Sequence, residues 1–197
     1  KTRMAAGAIE ALLHQKAVGK VLYLADREEL VHQAYEQFRM LLPDAKLIDL
    51  LGDVREEAQA DIVFATATIM MDAVNESRTE TGARLYDPAH FDLVIIDESH
   101  PSIYEDHIVL LNYFDAILLG FSSLPPEAPG EEDVYRFYDL APGKPTFAYR
   151  LAEACRDGWL VDFVLRDEAP EGIMEPHLRY ADLTEEQRTI AEMEYSD

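Results

Sequence analysis

Two adjacent acids, Asp97 and Glu98, follow an unbroken apolar run at residues 93–96. A run of this kind predicts a strand buried on both faces, so both acids would emerge at its carboxyl end. Nucleotide hydrolysis uses such a pair, in which one carboxylate holds Mg²⁺ and the next orients or deprotonates the attacking water. From these residues alone the alternative interpretation, an acidic pair that follows a strand by chance, stays open because loops after strands often begin with Asp.

A second pair, Lys1 and Thr2, precedes a segment rich in Ala and Leu at residues 4–15, which predicts a helix. In a phosphate loop the Lys reaches the β and γ phosphates and the Thr hydroxyl ligates Mg²⁺. The glycines of such a loop would precede Lys1, so we expect the chain to begin within the loop. We also expect the isolated chain to hydrolyse ATP negligibly. The dipeptide gains weight because Asp97 and Glu98 follow at the distance expected within one domain.

Helical and strand signals alternate along the chain, which predicts a parallel sheet with helices on both faces. Ligands bind at the carboxyl ends of the strands in such sheets, so functional side chains should follow each strand. The predicted helices are 4–15, 28–42, 69–75 and one ending near 157, and the predicted strands are 21–24, 47–50, 62–65, 93–96, 116–119 and 160–165.

Three segments near the end of the chain carry further predictions. Residues 125–143 are rich in Pro, Gly and acid, which predicts a surface excursion. Gly158 occupies the position of a left-handed helix cap, and Trp159 is interpreted as a packing anchor rather than a base-stacking platform. From residue 166 onward ten acids stand against three arginines, which favours a solvated acidic tail, with a docking surface for a basic partner as the alternative.

The composition excludes several classes of protein. A formal net charge of -22 argues against a broad basic face for nucleic acid. The single cysteine excludes an internal disulfide and any multi-cysteine metal site. The sequence has no apolar run near the roughly 18 residues of a membrane span and no secretory leader, so we expect a cytoplasmic protein without a membrane partner.

Several stretches together resemble the first RecA-like domain of the type I restriction motor subunit, within the DEAD/DEAH superfamily-two helicases. Residues 21–34 (VLYLADREELVHQA) match motif Ia, and residues 91–100 (FDLVIIDESH) match the Walker B box. Further matches lie at residues 102–104, 113–116, 145–149 and 157–161, and residues 180–186 are similar to the linker toward a second motor domain. The resemblance implies an α/β RecA-like P-loop NTPase domain over residues 1–166 and an acidic linker over 167–197.

The resemblance also implies roles in an ATP and Mg²⁺ cycle. Lys1 and Thr2 would bind phosphate and Mg²⁺, Asp97 would coordinate Mg²⁺, and Glu98 would be the catalytic base. His100 would couple the nucleotide site to the rest of the motor. The partners implied are duplex DNA, a second RecA-like domain of the same full-length chain that supplies an arginine finger, and specificity and methyltransferase subunits.

Two residues after strands are implied to contact DNA. Arg27 would lie near the DNA backbone, and Thr66 would donate its hydroxyl to a phosphate. For Arg27 the alternative is a salt bridge to Glu28, Glu29 or another acid.

Motif III departs from the family pattern. The usual Thr-Ala-Thr-Pro is replaced by Ser122 and residues 123–125, Ser-Leu-Pro, which keeps one hydroxyl and loses another. Because this motif links hydrolysis to DNA movement, coupling is in question. Two alternatives to a restriction translocase therefore stay open: a degenerate, non-hydrolytic RecA-like scaffold, and a type III restriction or repair motor.

Overall fold

The computed structural model describes residues 1–52, 60–97, 108–122, 132–161, 164–165 and 178–179. The helices are α1 (Thr2–His14), α2 (Glu28–Leu41), α3 (Ala67–Glu76), α4 (Glu132–Phe137) and α5 (Leu151–Arg156). The strands are β1 (Val21–Leu24), β2 (Leu47–Asp49), β3 (Ile62–Ala65), β4 (Leu93–Ile96), β5 (Ile117–Gly120), β6 (Val164–Leu165) and β7 (Leu178–Arg179).

The first five strands form one parallel sheet in the order β2-β3-β1-β4-β5. β1 is central, and its last residue, Leu24, pairs with Ala65 of β3 on one side and Ile96 of β4 on the other. These three strands therefore end level with one another. The predicted parallel α/β sheet is confirmed.

Each face of the sheet is covered by its own apolar cluster, because successive side chains of a strand point to opposite faces. Tyr23, Phe64 and Ile95 lie on the face that packs against α1 and α2. Leu24, Val94 and their neighbours lie on the other face, which packs against α3 and residues 110–114. All residues of β1, β3 and β4 are buried, as their unbroken apolar runs predicted.

Toward the end of the chain, the strand predicted at residues 116–119 is confirmed as β5, whereas the strand predicted at residues 160–165 is wrong in part. β5 begins at Ile117, which is 67% exposed, so that face of the strand is not covered as those of β1, β3 and β4 are. Among the described strands β5 pairs with β4 alone and lies at an edge of the sheet. The strand predicted at residues 160–165 does not join the parallel sheet. Of the described residues in this range, 160–161 lie outside any strand, and β6 pairs antiparallel with β7 in a separate two-stranded sheet.

The helix cap at Gly158 is confirmed, whereas the packing role of Trp159 is not. Gly158 has φ +79, and the backbone N–H of Trp159 returns to the carbonyl of Ala154. The Trp159 side chain is 80% exposed, so within the described residues it anchors nothing. The predicted excursion at 125–143 contains α4, from which Tyr135 is buried. None of the described helices has both the length and the apolar character that a membrane crossing requires.

Candidate functional site

The predicted site residues follow the level ends of the three central strands. Arg27 comes three residues after Leu24, Thr66 directly follows β3, and Asp97 directly follows β4. The ladder continues past the strand ends, because the Asp97 N–H donates to the Leu24 carbonyl at 2.9 Å. All three residues consequently lie at the carboxyl edge of the sheet, where α/β proteins bind their ligands.

The carboxylate of Asp97 is half-buried and held by a tyrosine. Its Oδ2 accepts a hydrogen bond from the Tyr23 hydroxyl at 2.6 Å. Tyr23 lies on β1, is fully buried, and has ring centroids 5.4 Å from Phe38 and 5.3 Å from Phe64. A distance of 2.6 Å is typical of a hydroxyl that donates to an ionised carboxylate. The bond ties the acid after β4 to the central strand.

The sequence analysis did not identify Tyr23 as a site residue. The sequence did contain one indication, because Tyr23 is the one residue of β1 with a polar group in its side chain. A buried tyrosine hydroxyl usually forms a hydrogen bond. Which partner it finds depends on the strand register, which the sequence does not give.

Lys1 and Thr2 stand at the beginning of α1, with Lys1 as its N-cap. The other end of α1 can be placed, because Leu13 and His14 line a small hollow together with residues 42–45, just before β2 begins. That end lies at the amino edge of the sheet, so the beginning of α1 is directed toward the carboxyl edge. Since α1 packs on the same face as Tyr23, Lys1 and Thr2 share both edge and face with Asp97.

These groups suit a nucleotide with Mg²⁺. A helix beginning offers unpaired backbone N–H groups and a positive dipole end to phosphate. The Asp97 carboxylate and the Thr2 hydroxyl are hard oxygen donors of the kind that Mg²⁺ takes. The described residues include no group of three or more His, Cys, Asp or Glu that could hold a metal unaided. Mg²⁺ is usually held by one or two protein oxygens together with water and substrate phosphates.

Arg27 and Thr66 meet on the other side of the same edge. Both line a cavity of about 320 Å³ together with Asp26, Glu28 and Thr68. The apolar floor of this cavity comes from the face opposite Tyr23, with Leu24, Ile96 and Leu111. The structure therefore separates the predicted site residues into two groups, one on each face of the sheet.

The side chains of Arg27 and Thr66 differ in their freedom. The Arg27 side chain is 77% exposed, and its Nε lies 3.5 Å from Asp26 Oδ2. The salt bridge considered as an alternative for Arg27 is therefore present, and its acid is Asp26 rather than Glu28 or Glu29. Exposed pairs of this kind contribute roughly 0–1 kcal/mol, so Arg27 can turn to another anion. Thr66 is 8% exposed, and its hydroxyl accepts a hydrogen bond from the Ile69 N–H at 3.3 Å, capping α3.

The remaining predicted residues lie beyond β4 and β5. Ser122 is exposed and follows β5, the strand next to Asp97, so it also belongs to the carboxyl edge. Glu98 and His100 lie outside the described residues, as do residues 123–125 of the altered motif III.

His90 lies at the opposite edge, shortly before β4. Burial, with a smaller contribution from the Lys20 cation, lowers the pKa of His90 below its ordinary value of 6.5. Asp87 and the backbone at Leu85 oppose that shift without cancelling it. The His90 ring packs edge-on against Tyr86 and Phe91, with centroids 4.9 and 4.7 Å away.

A parallel sheet with an acid after β4 and a Lys-Thr helix beginning at the same edge is the arrangement of a RecA-like nucleotide-binding domain. The family model described as "Type III restriction enzyme, res subunit" matches residues 1–127. The chain belongs to this family.

A mouse protein and two solved structures are also similar to this chain. The mouse (Mus musculus) protein "ATP-dependent RNA helicase DHX58" is 29% identical over 136 residues, which are 64% of this chain and 20% of that protein. The Pyrococcus furiosus Hef helicase domain has a similar fold, with a TM-score of 0.56, 23% identity, and coverage of 71% of this chain and 31% of that one. A hypothetical ATP-dependent RNA helicase from Sulfolobus tokodaii gives a TM-score of 0.51 and 21% identity, with coverage of 68% and 41%. The chain therefore spans less than half the length of each.

Proposed function

We propose that this chain is the first motor domain of an ATP-dependent translocase that moves along duplex DNA as part of a restriction enzyme. The observation that supports the proposal is that strand register and helix packing put Asp97 and the beginning of α1, with Lys1 and Thr2, at one edge and on one face of the sheet. In the full-length protein, ATP would lie between this face and a second RecA-like domain, which would supply an arginine finger.

Each group of the nucleotide site has a role that its chemistry supports. Lys1 would contact the phosphates, while Thr2 and Asp97 would hold Mg²⁺. When bound, the metal neutralises charge on the phosphate oxygens. Glu98, next to Asp97 in the chain, would accept the proton of the attacking water.

Arg27 and Thr66 would contact the DNA backbone at the cavity of about 320 Å³ that they line. α2 and α3 both begin there, so their N-terminal dipole ends add to the positive potential. Asp26 and Glu28 in the same lining reduce it, and the net charge of -22 opposes polyanion binding generally. The domain would therefore hold DNA through a few phosphate contacts, weakly and with strong dependence on salt.

The kind of restriction enzyme is a finer part of the proposal. The family description names the type III enzyme, whereas motif Ia and residues 145–149 and 157–161 resemble the type I motor. Specificity and methyltransferase subunits would be partners in the type I case. In either case residues 1–166 would be the motor domain, residues 167–197 the linker, and His100 and Ser122 would couple hydrolysis to movement.

The test is ATP turnover by the full-length protein alone, with duplex DNA, with single-stranded DNA and with duplex RNA. We expect duplex DNA to stimulate ATP turnover most. We also expect the full-length protein to move along duplex DNA, which a triplex-displacement assay measures. Stimulation by RNA alone would favour an activity like that named for the mouse relative. Absence of turnover with every nucleic acid would favour the scaffold alternative.

A further inference from the structure

The Tyr23 hydroxyl contacts Asp97, the proposed metal ligand, and the proposed cycle gives this hydroxyl no role. It lies 2.6 Å from Asp97 Oδ2. A hydroxyl at that distance is close enough to determine how the carboxylate is turned.

Tyr23 is itself fixed in place. Its side chain is fully buried, and the rings of Phe38 on α2 and Phe64 on β3 pack against it. Tyr23 pairs in register with Ile95, and Asp97 lies two residues after Ile95. Because side chains alternate along a strand, those of Tyr23 and Asp97 lie on the same face of the sheet. A buried ring in a packed interior cannot follow a moving carboxylate. The hydroxyl is therefore a stationary donor against which the carboxylate is oriented.

Metal sites depend on partners of this kind. A ligating carboxylate is usually held by an outer hydrogen bond, and loss of that bond typically lowers metal affinity by about 10- to 100-fold. The Tyr23 bond engages one oxygen of Asp97, Oδ2, and so restricts how the carboxylate can rotate.

We propose that Tyr23 is a positioning residue for Mg²⁺, which fixes the Asp97 carboxylate in the orientation that binds the metal–nucleotide complex. This rests on the proposed nucleotide site. It does not make Tyr23 a catalytic residue, because its hydroxyl contacts Asp97 and not the reacting atoms.

The competing explanation is that Asp97 merely satisfies the hydroxyl of a tyrosine needed for packing. In that case removal of the hydroxyl would change the free energy of unfolding and leave metal affinity as it was. The two explanations therefore differ in whether loss of the hydroxyl changes the metal affinity or only the free energy of unfolding.

The experiment compares Tyr23→Phe with Tyr35→Phe in the full-length protein. Each removes one hydroxyl from a tyrosine of the same cluster, and Tyr35 packs edge-on against Phe64 at 5.8 Å. Mn²⁺ binding to the protein–ADP complex is measured by electron paramagnetic resonance, alongside the Mg²⁺ concentration that half-saturates ATP turnover.

For Tyr23→Phe we expect Mn²⁺ affinity to fall about tenfold and the half-saturating Mg²⁺ to rise by a similar factor. Turnover at saturating Mg²⁺ should stay within about twofold of the parent, because excess metal restores the complex. Tyr35→Phe should leave both metal quantities unchanged. In the Asp97→Asn background Tyr23→Phe should have no further effect on Mn²⁺ affinity.

Two failures are distinguishable. A parent protein whose ADP complex binds no Mn²⁺ would overturn the proposed nucleotide site. A parent that binds Mn²⁺ normally, with Tyr23→Phe unchanged from it, would overturn only the positioning role.

A second measurement does not require Tyr23→Phe to fold. The parent protein is labelled with ¹³Cζ-tyrosine, and the Tyr23 resonance is identified as the one whose chemical shift changes in Asp97→Asn. The chemical shift of that resonance should also change when Mg²⁺ is added to the ADP complex of the parent. A resonance that responds to Asp97→Asn and ignores Mg²⁺ would contradict the proposal.

Discussion

The hydroxyl of Thr66 caps α3 by accepting the backbone N–H of Ile69 at 3.3 Å. Replacement of a capping Thr by Ala typically costs about 1 kcal/mol. We expect Thr66→Ala to lower the free energy of unfolding by about that amount in denaturant titrations, while Thr66→Ser, which keeps the oxygen, loses only a fraction of it.

The matched control is Thr68→Ala, because Thr68 is exposed on the same helix. It should change the free energy of unfolding by no more than about 0.5 kcal/mol. An unchanged stability for Thr66→Ala would show that the cap contributes nothing, and the hydroxyl would then be available to phosphate alone.

The central sheet could be predicted from the sequence because β1, β3 and β4 are covered on both faces. Burial of every side chain demands an unbroken apolar run, and such runs stand out between helical segments. The bounds of β1, β3 and β4 were predicted correctly for this reason.

The periphery could not be predicted in the same way. An apolar run such as residues 116–119, or a mostly apolar one such as 160–165, does not say whether a strand has neighbours on both sides. β5 turned out to be an edge, and residues 160–161 are exposed outside any strand. Strand pairing is decided by contacts distant in sequence, which no local pattern contains.

Part of the candidate site could be predicted from the sequence because of the sheet topology. Residues directly after parallel strands reach the same edge, which brings Arg27 and Thr66 into one cavity. The cap made by Thr66 also has a local signature, a Thr just before a helical run. The contact between Tyr23 and Asp97 has no such signature, because it depends on the register between β1 and β4.

His90 should make the domain less stable in mild acid. Because the pKa of His90 is lowered in the folded state, the unfolded chain binds more protons, and stability falls as pH drops below the ordinary value of 6.5. His90→Gln does not titrate, so its free energy of unfolding should fall less than that of the parent between about pH 7.5 and about pH 5.5.

Denaturant titrations at those two pH values measure the difference. As a control, both proteins should change in parallel between about pH 8 and about pH 9, where His90 is neutral whether folded or unfolded. Equal acid losses in the parent and His90→Gln would contradict the role of burial at this residue.

Arg27→Gln should weaken duplex DNA binding by the full-length protein about equally for all sequences. A phosphate contact carries no base information, and its loss should reduce the slope of log affinity against log salt by about one. Arg39→Gln is the control, since Arg39 lies near the other end of α2 and its Nη2 is 2.8 Å from Glu36 Oε2.

Fluorescence anisotropy across a series of salt concentrations gives the slope for both variants. Each variant loses one positive charge, so a general electrostatic effect would shift them alike. An identical slope for the two variants would remove Arg27 from the proposed DNA contact.

Glu98→Gln in the full-length protein should keep ATP binding and lose most hydrolysis. Gln has nearly the shape of Glu and can still hydrogen-bond a water, but it cannot accept a proton. Loss of a general base typically lowers turnover by about 10²- to 10⁴-fold. Because the loss falls on the chemical step, the ATP dissociation constant should stay close to that of the parent.

Asp97→Asn is the informative comparison, because the two acids are adjacent and have different proposed roles. A weakened Mg²⁺ site should reduce nucleotide affinity as well as turnover, and raising the Mg²⁺ concentration should recover part of the loss. Calorimetric ATP affinity and steady-state turnover of both variants beside the parent separate the two patterns. If Glu98→Gln retains turnover within a few-fold of the parent, Glu98 is not the base. If instead added Mg²⁺ rescues Glu98→Gln and not Asp97→Asn, the two roles are reversed.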